Sequence, residues 1–268
     1  MKYLKKIFIY SFITITILTP ELFAFSNRGP FIHATITLEA LLRIFKKKPY
    51  EFNFICSSTV GYMSNENDYN LNLAQDSSYH CDSNNIVGCS YRLNQLVEKA
   101  SHTPDNLLAL RYLGMALHII QDFYAHSNWV EIFGFSFILA DIENFQIIPP
   151  PPMIQTGLFP DVFAENVQAQ IECYFKDKNA IKGFILGATH DCLNKDSNYT
   201  KRGTLLAENS RMTLHELAAE YATRSSVKII EKVIKKNPFL STCMVPKVSG
   251  FSCNTILAKG FMYQQREN

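Results

Sequence analysis

Hydrophobic residues recur at helical spacing through most of the chain, and strand-like alternation of apolar and polar residues is scarce. This periodicity predicts helices over residues 33–46, 88–101, 105–133, 161–175 and 208–236. The last of these places an apolar side along Leu214, Leu217, Ala218, Tyr221 and Ala222. The pattern therefore predicts an all-α fold, a compact multi-helix single domain with long loops.

Polar and proline-rich stretches separate these helices. Residues 62–85 and 190–210 are dense in Asn, Asp and Ser, which predicts irregular loops. Four prolines at 149–152 cannot continue a helix, so they separate a first helical block from a second. The segment 145–159 around them is unusually apolar for a loop. We expect it to pack on the core, the alternatives being that it covers a site or touches lipid.

The amino terminus has the layout of a secretory signal. MKYLKK precedes the apolar run IFIYSFITITIL, and the segment ends at Leu22, Phe23 and Ala24. We predict a signal peptide over 1–24, a helical domain over 25–240 and an extension of unknown role over 241–268. A signal anchor is the alternative, but no second long apolar stretch follows. The expected location is secreted or periplasmic, with no stable transmembrane segment after cleavage.

Net charge argues against nucleic acid as the partner. The chain has 26 basic and 24 acidic residues. Removing residues 1–24 takes away three lysines and one glutamate, which leaves 23 of each and a formal net charge of zero. A neutral chain lacks the broad basic surface on which nucleic-acid binding usually depends.

All seven cysteines lie after the predicted signal. That distribution suits an oxidising compartment and allows three disulfides with one thiol left over. Cys81 and Cys89, or Cys243 and Cys253, are close enough in sequence to close local loops. Spacing alone does not fix the pairing, and the chain has no CxxC pair typical of a cysteine zinc site.

One polar stripe in the helix predicted over 105–133 points to chemistry. His118, Asp122 and His126 recur every fourth residue within LGMALHIIQDFYAHSNWVEI. Residues four apart share a helix face, so two imidazoles and a carboxylate point from one side. Such groups are costly to bury among apolar neighbours unless they are paired or bind a metal. The stripe therefore indicates a metal site, against the alternative of ordinary hydrogen-bonded histidines.

Further histidines and aspartates extend the pattern beyond this helix. They are His33 in FIHATITLEAL, Asp76 and His80 in NLAQDSSYHCDS, Asp196 in LNKDS and His215 in TLHELAAEYAT. With LGMALHIIQDFYAHSNWVE, these segments resemble the zinc-dependent phospholipase C superfamily, which includes single-strand-specific nucleases. The chain is most similar to the branch of heterokaryon-incompatibility C proteins and related bacterial phospholipases, over roughly residues 31–232.

The resemblance implies a cluster of up to three zinc ions. In it Asp122 bridges two ions, and the remaining ligands are His33, Asp76, His80, His118, His126 and His215, with Asp196 as a further candidate. The resemblance also makes Asp76 the catalytic residue that orients or deprotonates a zinc-bound water. In this family a glutamate follows the final histidine by four residues, whereas here Glu220 lies five residues after His215 and does not share its helix face. Asp196, Glu216 or His190 can take the place of that glutamate as a zinc ligand.

The resemblance implies a secreted phospholipase C that hydrolyses glycerophospholipids such as phosphatidylcholine at a membrane surface. The neutral charge and the apolar segment 145–159 favour lipid over polynucleotide. A secreted zinc-dependent single-strand nuclease is the enzymatic alternative. A third interpretation is a non-catalytic interaction protein that zinc stabilises, because structural zinc contributes folding free energy.

Overall fold

A computed structural model of the protein describes residues 32–46, 54–70, 72–159 and 188–240. Its helices are α1 (His33–Phe45), α2 (Phe54–Met63), α3 (Glu66–Tyr69), α4 (Ser77–His80), α5 (Ile86–His102), α6 (Asn106–His126), α7 (Trp129–Phe133), α8 (His190–Leu193) and α9 (Leu214–Lys236). Two 3-10 turns, Gly134–Ser136 and Ile142–Asn144, follow α7. Within the described ranges, β pairing is limited to isolated bridges. The prediction of an all-α, multi-helix fold is confirmed.

Helix α6 forms the centre of the fold. It packs against α2, α5 and α9, and α1 lies against α2 and α9. Every residue of α6 from Leu113 to His126 is buried. A helix that is buried on all sides has no solvent-facing side for charged groups, so its polar residues must find partners inside the protein.

Local capping sets the ends of the long helices. The Asp105 side chain accepts a hydrogen bond from the backbone N–H of Leu108 and begins α6. Thr213 and Glu216 form a reciprocal capping box at the start of α9. The basic residues Lys235 and Lys236 lie in the last turn of α9, where they complement the helix dipole.

The helix predicted over 105–133 is divided in two. The chain leaves α6 at Ser127, which is extended and forms an antiparallel bridge with Thr156. Asn128 exchanges hydrogen bonds with the backbone of Gln155: its N–H donates to the Gln155 carbonyl, and its side-chain oxygen accepts from the Gln155 N–H. This long-range pairing interrupts a helix that the local pattern would have continued.

The apolar segment 145–159 divides between core and surface. Phe145 and Ile154 are buried in the core, whereas Ile147, Ile148 and Met153 are exposed. The core-packing role expected for this segment therefore holds for part of it. The predicted phospholipid partner stays a prediction.

The predicted loops contain short helices, and each contains one disulfide-bonded cysteine, Cys81 or Cys192. The loop 62–85 contains α3 and α4, and the loop 190–210 contains α8. Cys81 and Cys89 form a disulfide, and Cys56 and Cys192 are also disulfide-bonded. None of the helices described is both long and apolar enough to cross a membrane. The predicted signal 1–24, helix 161–175 and extension 241–268 lie outside the described residues.

Candidate metal centre

The polar stripe of α6 faces the interior, as its spacing predicted. His118, Asp122 and His126 are all buried, with exposed fractions of at most 1%. The short helices α3, α4 and α8 contact helix α6. These short helices and the turns beside them bring further histidines and aspartates to the stripe.

Asp122 lies at the centre of the first group of side chains. Its Oδ2 is 2.8 Å from Nε2 of His118 and 2.9 Å from Nδ1 of His80. Its Oδ1 is 3.3 Å from Nε2 of His33. The Nε2 of His118 and the Nδ1 of His80 are 3.0 Å apart. Helices α1, α4 and α6 thus contribute one histidine each around a single carboxylate.

Asp68 completes this first group, although the sequence did not single it out. Its carboxylate oxygens lie 3.6 Å from His118 Nε2, 3.8 Å from His80 Nδ1 and 4.0 Å from His33 Nε2. Asp68 belongs to the four-residue helix α3, which packs on α6. In the sequence it stands among the Asn and Asp of a polar loop, where an aspartate is ordinarily a turn former.

A second group surrounds His126, one turn further along α6. The Nδ1 of His126 is 3.3 Å from Oδ1 of Asp82, and the ring of His190 lies with its centroid 4.0 Å from that of His126. Asp82, His126 and His190 each offer a buried ligand atom within 4.8 Å of the others. Asp82 was not among the predicted ligands, and His190 was named only as an alternative.

Asp196 contacts His126 from the other side of the imidazole. The Nε2 of His126 lies 2.8 Å from Oδ1 of Asp196, while the Nδ1 faces Asp82. This is the arrangement in which a carboxylate orients a metal-binding histidine through its second nitrogen. The predicted ligand Asp196 therefore contacts the His126 nitrogen that faces away from Asp82.

Hydrogen bonds fix which nitrogen of His118 and of His33 faces the centre. The Nδ1 of His118 donates to the carbonyl oxygen of Ser64 at 2.7 Å. The Nδ1 of His33 donates to Oε1 of Gln121 at 2.7 Å, and the Gln121 amide in turn donates to Thr37 and Ser226. Both histidines therefore direct Nε2 toward Asp122. Such bonds select the tautomer and ring orientation that a metal ligand needs.

His215 is buried near these groups, on α9. Its Nδ1 donates to the backbone carbonyl of Lys195 at 2.8 Å. Burial lowers the pKa of His215 below its usual value, although the charge of Asp196 opposes this shift. Among the described residues, His215 is not one of those that share a compact set of ligand atoms.

Asp76, the predicted catalytic residue, is not one of the side chains that form the two groups. Its carboxylate accepts hydrogen bonds from the backbone N–H and the hydroxyl of Ser78 and caps α4. Arg92 approaches it at 3.8 Å. Among the described residues, Asp76 belongs to no group of closely spaced ligand atoms. Asp68 instead lies beside His80 and His118. The capping hydrogen bonds account for the position of Asp76 at the start of α4, and its catalytic role stays a prediction.

Glu216 and Glu220, the two glutamates weighed as ligands near His215, have other partners. Glu216 belongs to the capping box with Thr213. Glu220 binds Arg43 through both carboxylate oxygens and also accepts from Arg224. Both carboxylates thus have helix-capping or ion-pair partners away from the histidines.

The side chains of the first group shift one another's pKa values. Burial alone would raise the pKa of Asp122, but the neighbouring histidines, led by the charge of His118, hold it well below its usual value. Burial alone would lower the pKa of His80, but the hydrogen bond and charge of Asp122 outweigh it and raise the pKa to about 9. Burial raises the pKa of Asp68, although the charges of His118, His33 and His80 oppose this shift.

A buried cation lies beside the second group. The Nζ of Lys195 donates to the carbonyl oxygens of Ser127 and Leu193 and to Glu131 at 2.6, 2.8 and 3.2 Å. Its backbone N–H donates to the carbonyl of Ala125 at 3.0 Å. Lys195 therefore ties the loop that carries Asp196 to the end of α6.

Comparison with known proteins leads away from the phospholipases. A family model described as the VWA7 N-terminal domain matches residues 36–143. Human von Willebrand factor A domain-containing protein 7 is 58% identical over 33 residues, which is 12% of this chain and 4% of that protein. The chain thus aligns with only a small part of that relative. No solved structure matches the chain.

These matches correct the expectations that the sequence resemblance raised. The assignment to the zinc-dependent phospholipase C superfamily was wrong, because the matching family is a different one. The predicted phospholipase C activity and the description of the chain as a hydrolase lose their support with it. The matched range 36–143 includes Asp68, His80, Asp82 and the stripe of α6, whereas His33, His190 and Asp196 lie outside it.

Proposed function

We propose that this chain is a metal-binding helical domain in which two zinc ions join the short helices to α6. The observation that carries the proposal is the first group: nitrogen and oxygen atoms of five buried side chains lie 2.8 to 4.0 Å from their neighbours. Tetrahedral zinc with bonds of about 2.0 to 2.2 Å places neighbouring ligand atoms about 3.3 to 3.6 Å apart. The spacing of these donors suits a divalent ion.

The tautomers support a cation at this position. The Nδ1 of His118 carries its proton toward the Ser64 carbonyl, so in the neutral ring the Nε2 lone pair faces Asp122 and His80. Lone pairs that face one another at about 3 Å in a buried site repel unless a proton or a metal ion lies between them. Asp122 Oδ1 and His80 Nε2 also make no hydrogen bond within the described part of the chain.

Charge balance supports two ions. The first group contains the carboxylates of Asp68 and Asp122 beside three histidines. The second contains Asp82 and, behind His126, Asp196. One divalent cation in each group would neutralise its two carboxylates while the histidines stay neutral. Zinc suits nitrogen and oxygen donors of this kind.

The two ions would stabilise the fold. The first group joins α1, α3, α4 and α6, and the second joins α6 to α8 and to the turn at Asp82. These short helices have little independent stability. A ligand present at about 1,000 times its Kd adds about 4 kcal/mol to folding. We therefore propose a structural role for the metal.

We also propose that the domain works in an oxidising compartment outside the cytoplasm. The Cys81–Cys89 disulfide and the disulfide-bonded Cys56 and Cys192 support this location. Disulfides persist in secreted and periplasmic proteins and are rare in the cytosol. The signal-like segment at the amino terminus of the sequence agrees with it.

Metal analysis of the purified full chain tests the proposal. We expect two equivalents of zinc after gel filtration and a lower melting temperature after chelation. His102→Ala is the matched control, since His102 is exposed at the end of α5 and lies outside both groups. It should keep both ions. A protein that binds no divalent metal, and whose melting temperature is unchanged by chelation, would contradict the proposal.

A further inference from the structure

One half of the Cys81–Cys89 disulfide lies, in the sequence, between a side chain of the first group and a side chain of the second. Cys81 follows His80, which faces Asp122 in the first group, and precedes Asp82, which faces His126 in the second. One cysteine thus separates a ligand of each group. Any displacement of Cys81 moves both ligands at once.

The turn that carries these ligands is short. Cys81 ends α4 in a left-handed backbone conformation, so the side chains on its two sides diverge. Helix α4 itself has only four residues. Hydrogen bonds also hold the turn, from Asn85 to Ser77 and from Ser83 to the carbonyl of Gly157. These bonds join the turn to other loops.

The disulfide connects this turn to a long helix. Cys89 lies in the first turns of α5, a 17-residue helix that packs along α6. Both half-cystines are fully buried, and their Cα atoms are 5.1 Å apart. The covalent bond therefore fixes the distance from the ligand turn to the helical core. A crosslink of this kind reduces the conformations open to the metal-free turn.

We propose that the Cys81–Cys89 disulfide positions His80 and Asp82, so that the affinity of both groups for zinc depends on the redox state of this bond. The proposal rests on the proposed function, since it assumes that the two groups bind metal. In the oxidised protein the ligand turn is held close to its metal-bound conformation. In the reduced protein, metal binding must also order the turn, and affinity falls.

The main experiment compares the full-length wild type with the double variant Cys81→Ser, Cys89→Ser. Zinc affinity is measured by competition with a chromophoric chelator, and Co²⁺ absorption reports the coordination at each group. We expect the double variant to bind both ions at least tenfold more weakly. Serine keeps the approximate size of the side chain and removes both the crosslink and the two thiols, which would otherwise compete as zinc ligands.

A matched control separates positioning from general stability. Ile230→Ala opens a cavity in α9, where Ile230 is fully buried and belongs to neither group. It should lower the melting temperature of the metal-free protein while leaving zinc affinity and the Co²⁺ spectrum within twofold of wild type. If Ile230→Ala weakens zinc binding as much as the double variant does, the disulfide acts through stability alone and the proposal is wrong.

A reductant arm tests the redox dependence directly. A water-soluble phosphine reduces the disulfide to two thiols; the phosphine takes up an oxygen atom from water, whose two protons end on the sulfurs. Wild type should lose affinity for both ions on reduction, and the double variant should change much less, although the treatment also reduces its other disulfides. Unchanged or tighter zinc binding by the reduced wild type would overturn the proposal. A wild type that binds no zinc when oxidised would instead contradict the proposed function.

Discussion

The Nε2 of His118 lies 2.8 Å from Oδ2 of Asp122, one helical turn later in α6. The same oxygen is 2.9 Å from Nδ1 of His80, so a single carboxylate oxygen faces two imidazoles from different helices. The local spacing of α6 makes the first contact available. The second needs the chain to bring α4 against α6, and together they define the centre of the proposed metal site.

Asp122→Asn should remove the ion of the first group. The amide has nearly the shape of the carboxylate but lacks its charge, so zinc affinity at this group should fall by about 100-fold or more. Isothermal titration with zinc measures the loss. Glu220→Gln is the matched control, because Glu220 is an acidic residue that binds Arg43 and Arg224. Full zinc binding by Asp122→Asn would show that Asp122 is not a ligand.

His118→Ala and His126→Ala should each remove a different ion. His118 contacts the first group and His126 the second, although the two residues lie eight positions apart on one helix. Each variant should retain about one equivalent of zinc, and the double variant none. Elemental analysis of the purified variants gives the stoichiometry. Loss of both ions in either single variant would show that the groups bind metal as one unit.

The metal-free protein should lose stability as the pH rises from about 6.5 to 9. The pKa of His80 is raised to about 9, above the unfolded value of about 6.5. Protonated His80 therefore stabilises the metal-free fold fully below about pH 6.5, and this contribution disappears as the pH passes 9. Zinc binds the neutral imidazole, so zinc affinity should rise over the same interval.

Melting temperatures recorded across this pH range, with a chelator and with zinc, check both trends. His80→Gln provides the comparison, since it removes the titrating group and should flatten the fall of the metal-free protein. A metal-free wild type whose stability stays constant or increases from pH 6.5 to 9 would contradict the assigned role of His80.

Lys195→Met should destabilise the fold by about 3 kcal/mol. The change leaves the buried carbonyls of Ser127 and Leu193 without the donor that Lys195 supplies, and Glu131 loses one of its two cations. Each unsatisfied buried acceptor costs about 1 to 3 kcal/mol. Urea unfolding measures the free energy.

Lys232→Met is the control for this prediction. Lys232 pairs with Glu143 at the surface, and such exposed pairs contribute about 0 to 1 kcal/mol. Equal losses of unfolding free energy in the two variants would contradict the structural role given to Lys195.

The sequence identified the part of the candidate site that lies on one helix. His118, Asp122 and His126 share a face because the geometry of the helix requires it, and the structure places all three where the spacing predicts. His33 and His80 also join the first group. Both were named because further histidines and aspartates accompany the stripe in the sequence, and His80 stood in the predicted polar loop 62–85 and not in an apolar helix.

The carboxylates from loops were not predictable in the same way. Asp76 and Asp68 stand in similar polar surroundings in the sequence, yet Asp76 caps α4 and Asp68 joins the histidines. Nothing in the spacing of either residue separates these outcomes. The path of the loop decides which carboxylate reaches α6, and this path depends on contacts distant in sequence, such as the packing of α3 on α6.

The sequence by itself determined the helical class, the positions of the long helices and the polar stripe of α6, because periodicity and capping act over a few neighbouring residues. The tertiary structure decided where α6 ends, through the pairing of Ser127 with Thr156, and which side chains surround Asp122 and His126. A buried charged helix face requires partners, but the sequence does not say which residues supply them. Packing among α1, α3, α4, α6 and α8 determines which residues these are.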